Sequence, residues 1–154
     1  METRNERIRS LWVPLRGFNL LLPNAAVAEI GSYRTPRSFS GMPDWFLGMV
    51  RWRGLEIPVI SLESLCGFKC SSNPVFSRLM IVNPVRADST VANFAIVTAG
   101  LPGLVQLDND MVDEINNYVK DGLKCMVRIG SEEAAIPDLD YLQCQLEQHL
   151  AAMA

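Results

Sequence analysis

The first half of the chain alternates short apolar runs with turn residues. Glycine, proline or asparagine separates neighbouring runs, for example at Pro23 and Asn24 and at Arg53 and Gly54. These intervals are too short for helices of ordinary length, and glycine and asparagine tolerate the positive φ angles of tight turns. The pattern therefore predicts short β-strands over residues 11–15, 18–22, 25–30, 46–52 and 55–60.

The second half resumes the same pattern after a polar stretch. This stretch, residues 68–75, contains Cys70, Ser71 and Pro74 and predicts a surface connection. We therefore expect a single domain with a first lobe over about residues 11–67 and a second lobe over about residues 76–137. Strands are predicted in the second lobe at 76–82, 91–98, 104–107 and 123–129, with a hairpin loop around 85–90.

Two helices interrupt this β-rich pattern. After Pro58, Ser61 can cap a single helical turn that Gly67 can end. Asp138 can cap a longer helix over about residues 138–152, because leucines recur there at steps of three and four, at Leu139, Leu142, Leu146 and Leu150. The predicted fold class is therefore mainly β, with one short helix and one C-terminal amphipathic helix.

The two halves also share a faint internal echo. The tripeptide Met49-Val50-Arg51 precedes Ile57-Pro58, and Met126-Val127-Arg128 precedes Ile136-Pro137. A weaker match joins the segments 27–30 and 112–115. The spacings within the two copies differ, so duplication and chance both remain open at this level.

Composition and charge exclude several classes of protein. With 49% hydrophobic and 20% charged residues, a chain of 154 residues can bury the core of one globular domain. The net charge of -3 offers no broad basic surface for nucleic acid. No signal peptide and no apolar run near the roughly 18 residues of a membrane span are visible, so we expect a cytoplasmic protein that does not insert into the membrane.

Catalytic and ligand-binding patterns are also missing from the sequence. The single histidine, His149, lies among helix formers near the C-terminus, and no serine nucleophile elbow occurs. The segment Gly100–Gly103 lacks the length and the lysine of a phosphate-binding loop, and the acidic run 108–114 lacks the glycine of a calcium loop. The four cysteines lack the spacing of a metal site. We predict no enzyme activity, no cofactor and no metal.

One segment carries a family resemblance. Residues 43–62 read PDWFLGMVRWRGLEIPVISL, with Gly48, Arg53, Gly54 and Pro58 at set intervals. This segment resembles the signature of the CheW-like family, and the segments 27–30 and 92–98 are similar to two further strands of that family. The resemblance covers about residues 11–145. It departs from the family pattern at Ser61, where an acidic residue is common, and in a compact second lobe.

The resemblance implies both a fold and a function. The fold would be two small five-stranded β-barrel-like lobes, and the function would be that of a non-catalytic adaptor between chemoreceptors and a CheA-type histidine kinase. One lobe would dock the kinase regulatory domain, and the groove between the lobes would meet the cytoplasmic tips of receptors in arrays at the inner membrane. The segment 20–29 resembles the ChpC-type branch, which serves type IV pilus systems and twitching motility.

Six residues are candidates for the kinase or receptor interface: Val27, Glu29, Gly48, Trp52, Arg53 and Gly54. We expect Glu29 and Arg53 to lie on neighbouring strands and to form an ion pair. Strand alternation predicts that Glu29 shares a face with Val27 and points away from Ala28 and Ile30. Trp52 and Met49 could belong to a binding patch or to the core, and Trp45 and Phe46 carry the same ambiguity.

Two alternatives from other classes remain. An oligonucleotide-binding barrel would also show short strands and aromatic residues, although it should present a basic groove. A thiol-dependent enzyme would need a cysteine beside cations, and Cys70 next to Lys69 and Cys125 next to Lys124 are the candidates.

Overall fold

The computed structural model describes residues 7–69, 75–115 and 120–153. Within these ranges the chain forms eleven β-strands, two α-helices and two single turns of 3-10 helix, at Asn24–Ala26 and Asn109–Met111. The strands are β1 (Ile8–Pro14), β2 (Asn19–Pro23), β3 (Val27–Ser32), β4 (Phe46–Trp52), β5 (Leu55–Ile60), β6 (Arg78–Val82), β7 (Phe94–Thr98), β8 (Gly103–Leu107), β9 (Val112–Ile115), β10 (Leu123–Ile129) and β11 (Glu132–Pro137). The helices are α1 (Leu62–Leu65) and α2 (Leu139–Ala152). The mainly β fold, the short helix after Pro58 and the C-terminal helix are confirmed.

The strands form two barrel-like sheets. The five-stranded sheet has the order β3-β6-β7-β5-β4, and the six-stranded sheet has the order β8-β1-β2-β11-β10-β9. All neighbours are antiparallel except β5 with β7 and β11 with β2. All five residues of the central strand β7 are buried, as expected for a strand covered on both faces. One sheet has six strands where five were predicted. Its additional strand is β9, which pairs with β10 at one edge of the sheet.

The sheets do not follow the order of the chain. The strands β1 and β2 join the six-stranded sheet together with β8 to β11, whereas β6 and β7 join the five-stranded sheet together with β3 to β5. The first hairpin of each half of the chain, β1–β2 or β6–β7, thus belongs to the sheet that is formed mainly by the other half. The predicted division into residues 11–67 and 76–137 does not coincide with the two sheets, and residues 70–74 of the predicted connection lie outside the described residues.

The Met-Val-Arg echo falls at equivalent places in the two sheets. Each copy lies in a β-hairpin, β4–β5 or β10–β11, that leads directly into a helix. Met49 pairs with Pro58 across the first hairpin, and Met126 pairs with Ala135 across the second. The matching register supports a structural duplication.

The helix caps extend this equivalence. Ser61 Oγ accepts a hydrogen bond of 3.1 Å from the Ser64 amide, and Asp138 Oδ1 accepts one of 3.1 Å from the Tyr141 amide. Each cap lies three residues beyond the hairpin residue that faces the methionine. The Ile-Pro pairs of the echo are offset by two positions in this register, so that part of the sequence match does not mark equivalent sites.

The described residues form three hydrophobic clusters. The main core lies between the sheets and includes Leu20, Leu62, Phe94, Leu142 and Leu146, all of which are fully buried. A second cluster lines the inner face of the five-stranded sheet and contains Val50, Trp52, Ile57, Val59, Leu79, Ile81, Ala95 and Val97. The corresponding cluster of the six-stranded sheet buries only Leu21, Val127 and Ala134. Most of the apolar side chains in this third cluster are only partly buried, among them Trp12, Val105 and Leu107.

Helix α2 is hydrogen-bonded to the loop between β6 and β7. A hairpin loop was predicted at this place. The buried Gln143 accepts hydrogen bonds from the amides of Val85 and Arg86, both at 3.0 Å, and donates one of 2.6 Å to the carbonyl of Val91. Arg86 adds an ion pair with Asp140 at 2.6 Å. In the part of the chain that the structure describes, neither helix has the length and apolar character needed to cross a membrane.

Candidate functional site

The tip of the β4–β5 hairpin presents Arg53 to solvent. Trp52 pairs with Leu55, so Arg53 and Gly54 form a two-residue turn, with φ angles of 49° and 76°. Positive φ at both central residues is the signature of a type I′ turn, which matches the twist of the flanking strands. Gly54 adopts this conformation freely, whereas Arg53 is an uncommon residue there. The Arg53 side chain is 63% exposed.

Glu29 holds two side chains of this tip. Its Oε1 lies 3.3 Å from Arg53 Nη2, and its Oε2 accepts a hydrogen bond of 3.0 Å from the indole Nε1 of Trp52. The Arg53 guanidinium carbon lies 4.6 Å from the centre of the Trp52 ring, within the range of a cation–π contact. The predicted ion pair is present, and Trp52, which is 8% exposed, supports it from beneath.

The strands that carry Glu29 and Arg53 differ from the prediction. They are not hydrogen-bonded neighbours, because β3 and the β4 end of the sheet form its two opposite edges. The sheet curls until the edge residues Glu29 and Trp52 meet. Among the described residues, the edge strands β3 and β4 are not paired through their backbones. The side-chain contacts of Glu29 therefore join these two edges at one end of the five-stranded sheet.

The predicted face of Glu29 was wrong with respect to Val27 and Ala28, although Glu29 does point away from Ile30 as predicted. A β-bulge lies between Val27 and Glu29, so Val27 faces Val82 while Glu29 faces Ile81. Ile81 belongs to the inner cluster of the five-stranded sheet, whereas Val82 belongs to the main core. The extra residue breaks the period-2 alternation on which the prediction rested. Glu29 therefore points away from Val27, towards Trp52.

Two other candidates, Val27 and Gly48, lie away from the tip. Val27 is half-buried against the main core. Gly48 is buried with a φ of 141°, and a Cβ atom there would stand 2.2 Å from the carbonyl oxygen of Arg37. The Arg37 backbone bridges to Met49 through hydrogen bonds of 2.9 and 3.0 Å, which covers the edge of β4. Gly48 is thus explained by this close approach.

The aromatic and methionine candidates belong mainly to the core. Trp52 lies in the inner cluster, and Met49 is half-buried against the main core. Phe46 is buried, whereas Trp45 is half-buried and meets the ring of His149 edge-on at 5.4 Å. Phe46 and Trp52 are thus buried, whereas Met49 and Trp45 pack against the main core and stay partly exposed.

Sequence reasoning missed Leu55 at the tip. This side chain is 55% exposed beside Gly54 and opposite Trp52. The signal was available, because a two-residue turn at Arg53 and Gly54 fixes Leu55 as the partner of Trp52. We define the hairpin-tip surface as Glu29, Arg53, Gly54 and Leu55.

A groove opens around Phe68, between the segment that follows α1 and residues of the six-stranded sheet. The ring of Phe68, whose residue is 39% exposed, lies 5.5 Å from the ring of Phe18 and 5.0 Å from the ammonium nitrogen of Lys120. Lys120 also donates a hydrogen bond of 2.5 Å to the carbonyl of Cys66. The groove has a volume of about 200 Å³ and is lined by Gly17, Phe18, Cys66, Phe68, Lys120, Leu123 and Met126. We refer to it as the Phe68 groove.

The pKa values of two thiols, Cys66 and Cys125, are raised. Burial raises the pKa of the Cys66 thiol to about 11, and the charge of Lys120 offsets only part of this rise. Burial and the nearby Glu114 carboxylate also raise the pKa of Cys125. Cys70 lies outside the described residues. Among the residues that are described, no three histidine, cysteine or acidic side chains cluster as metal ligands would.

Comparison with known proteins places this geometry in a family context. The sequence model of the CheW-like domain family matches residues 9–143. The fold is similar to the crystal structure of scaffolding protein TtCheW from Thermoanaerobacter tengcongensis, with a TM-score of 0.74 and 15% sequence identity over 87% of this chain and 90% of that chain. No curated protein sequence matches the chain.

Proposed function

Because the chain belongs to the CheW-like domain family, we propose that it is a non-catalytic adaptor that couples chemoreceptors to a CheA-type histidine kinase. The observation that carries this proposal is the hairpin-tip surface, in which an exposed arginine is held ready by a carboxylate and a buried indole. Arginine is among the residues enriched at the centres of protein interfaces. Holding it in place lowers the entropy lost on binding.

The hairpin-tip surface is the proposed contact for the kinase regulatory domain. It combines the Arg53 guanidinium with the apolar side chain of Leu55, which is 55% exposed. An apolar contact beside an orienting charge suits a partner with an acidic residue next to a shallow apolar patch. Of the remaining candidates, Trp52 holds the Glu29 carboxylate from beneath, Val27 lies in β3, and Gly48 lets the Arg37 backbone approach β4.

The Phe68 groove is the proposed contact for receptors. An apolar groove of this kind suits one face of an amphipathic helix, which is the shape of a helical receptor tip. Phe18, Phe68 and Met126 would meet the apolar residues of that helix, and Lys120 would face an acidic residue. The two partners would thereby bind at different places, as coupling requires.

The thiols of Cys66 and Cys125 do not favour a thiol-dependent enzyme. The Cys66 and Cys125 thiols have raised pKa values, whereas a reactive cysteine needs a lowered pKa. His149 packs against Trp45, away from any serine or cysteine pairing among the described contacts. The family match also favours the adaptor over the oligonucleotide-binding and thiol-dependent alternatives.

We further propose a cytoplasmic location at receptor arrays along the inner membrane, and an output through a type IV pilus and twitching motility. The pilus assignment rests on the segment 20–29, which resembles the ChpC-type branch. A clean deletion strain separates the outputs, since loss of twitching with intact swimming would support the pilus assignment. The reverse pattern would replace it with a flagellar system.

Reconstitution tests the adaptor function. The purified chain should join the receptor cytoplasmic fragment and the kinase from the same genome into one sedimenting complex. Arg53→Glu should release the kinase and retain the receptor, and Phe68→Ala should do the reverse. Arg128→Glu is the matched control, because Arg128 forms an exposed ion pair of 3.1 Å with Glu133 in the hairpin of the other sheet. Binding of neither partner by the folded wild-type chain would overturn the proposal.

A further inference from the structure

The two phenyl rings of the Phe68 groove come from segments that are distant in the sequence. Phe18 belongs to the turn between β1 and β2, which is closed by a hydrogen bond of 3.0 Å from the Leu15 amide to the Phe18 carbonyl. Phe68 follows α1, and its ring centre lies 5.5 Å from that of Phe18. Contacts between the turn and the α1 segment therefore set the spacing of the rings.

Glu63 in α1 contacts both of these segments. The residue is fully buried, and its Oε2 accepts a hydrogen bond from the backbone amide of Arg16 in the β1–β2 turn. Its backbone carbonyl accepts a hydrogen bond of 2.8 Å from the Phe68 amide. A hydrogen bond to a carboxylate is stronger than one between neutral groups. One residue thus joins the two segments that carry the rings.

The β1–β2 turn also meets Phe68 directly, through Gly17. The φ of Gly17 is 91°, and a Cβ atom there would lie 2.5 Å from two carbons of the Phe68 ring. The ring therefore rests on bare backbone of the turn. A side chain at residue 17 would push the ring out of this position.

We propose that Glu63 is the positioning residue of the Phe68 groove. Its carboxylate holds the β1–β2 turn against α1, so that Phe68 rests on Gly17 and the groove is formed before a partner arrives. A preformed groove binds more tightly, because less conformational freedom is lost on binding. The inference rests on the proposed receptor role of this groove, and the receptor would not touch the buried Glu63 itself.

Two variants of Glu63 test this role with the receptor cytoplasmic fragment from the same genome. Glu63→Leu removes the acceptor for the Arg16 amide and should weaken receptor binding about tenfold. Glu63→Gln keeps an acceptor oxygen and should recover most of the affinity. Kinase binding should stay unchanged in both variants, because the hairpin-tip surface belongs to the five-stranded sheet. A general loss of folding would weaken both partners alike.

A matched pair of glycine variants tests the seat of Phe68. Gly17 and Gly130 both have positive φ angles, of 91° and 62°, but the space around Gly130 is open. Alanine is strained at both positions, and only at residue 17 does it meet an aromatic ring. Gly17→Ala should therefore weaken receptor binding about tenfold, whereas Gly130→Ala should leave it unchanged.

Nuclear Overhauser effects between the ring protons of Phe18 and Phe68 report the spacing in the free protein, without a partner. They should persist in wild type and Glu63→Gln and weaken in Glu63→Leu and Gly17→Ala. Unchanged ring contacts in folded Glu63→Leu, or a Glu63→Gln variant as impaired as Glu63→Leu, would overturn the role of Glu63. Wild type that keeps the ring contacts but does not bind the receptor fragment would instead overturn the proposed receptor function, while the ring contacts still decide the role of Glu63.

Discussion

The indole Nε1 of Trp52 donates a hydrogen bond of 3.0 Å to Glu29 Oε2, and the two residues come from opposite edges of one five-stranded sheet. The other carboxylate oxygen of Glu29 faces Arg53 at 3.3 Å. The Glu29 side chain therefore contacts a buried residue through Oε2 and an exposed residue through Oε1. This division allows stability and binding to be changed separately.

Replacement of Glu29 by leucine should lower the free energy of unfolding by about 1–3 kcal/mol, because it leaves the indole donor of Trp52 without an acceptor. Glu29→Gln should cost less, since an amide oxygen can still accept from Trp52 although the charge that attracts Arg53 is gone. Urea unfolding followed by circular dichroism measures both variants. Equal losses in the two variants would show that the hydrogen bond to Trp52 contributes little.

Arg53→Ala should change the free energy of unfolding by only about 0–1 kcal/mol, since the ion pair with Glu29 is solvent-exposed. The same change should weaken binding of the kinase regulatory domain by roughly 2 kcal/mol, the cost typical of a central arginine anchor. Arg53→Lys should recover only part of the loss, because lysine lacks the planar fork of donors. Arg128→Ala is the control in calorimetric titration. Unaltered kinase affinity in the Arg53 variants would remove this residue from the interface.

Gly48→Ala should destabilise the protein by about 3 kcal/mol or more, because the new methyl group would meet the Arg37 carbonyl oxygen at a positive φ. Gly54→Ala should cost about 1 kcal/mol, since its φ of 76° is strained for alanine while the space around it is open. Thermal unfolding of the two variants gives the comparison. A Gly48→Ala protein as stable as Gly54→Ala would mean that the Arg37 segment moves away from β4 at little cost.

The raised pKa of Cys66 makes stability depend on pH. The folded protein keeps the thiol protonated up to about 11, whereas the unfolded chain loses the proton near the ordinary value of 9.0. The contribution is therefore complete below pH 9 and is lost as the pH rises through about 11. Urea unfolding across this window should show a steeper decline in the wild type than in Cys66→Ala. Identical slopes in wild type and Cys66→Ala would refute the linkage.

Local features of the fold were readable from the sequence. The turn at Arg53 and Gly54 predicted the β4–β5 hairpin, and the leucine spacing predicted α2, because both signals act over a few neighbouring residues. Strand β11 was missed since its sequence, Glu132–Pro137, offers two glutamates and two alanines, which are poor strand formers. The segment 112–115 was noticed only as part of an echo, although it forms β9.

Long-range features were not readable in the same way. The exchange of hairpins between the sheets depends on which apolar faces meet in space, and a strand pattern does not name its partner. The bulge at Val27 and Glu29 is likewise a single added residue without a distinctive sequence mark. The ion pair between Glu29 and Arg53 was nevertheless predicted, because the family resemblance suggested it. Strand alternation alone had placed Glu29 on the same face as Val27, which is wrong.

The exchanged hairpins have a consequence for synthesis on the ribosome. The hairpin β1–β2 is translated before the other strands of its sheet, yet Leu20 in β2 pairs with Ala135 in β11, which is translated more than 100 residues later. The apolar run Leu20–Leu22 is buried in the folded protein, but it lacks its partner strand β11 until that strand has been translated. Nascent chains stalled before β11 should therefore engage chaperones through this run, and release should coincide with the arrival of the last hairpin.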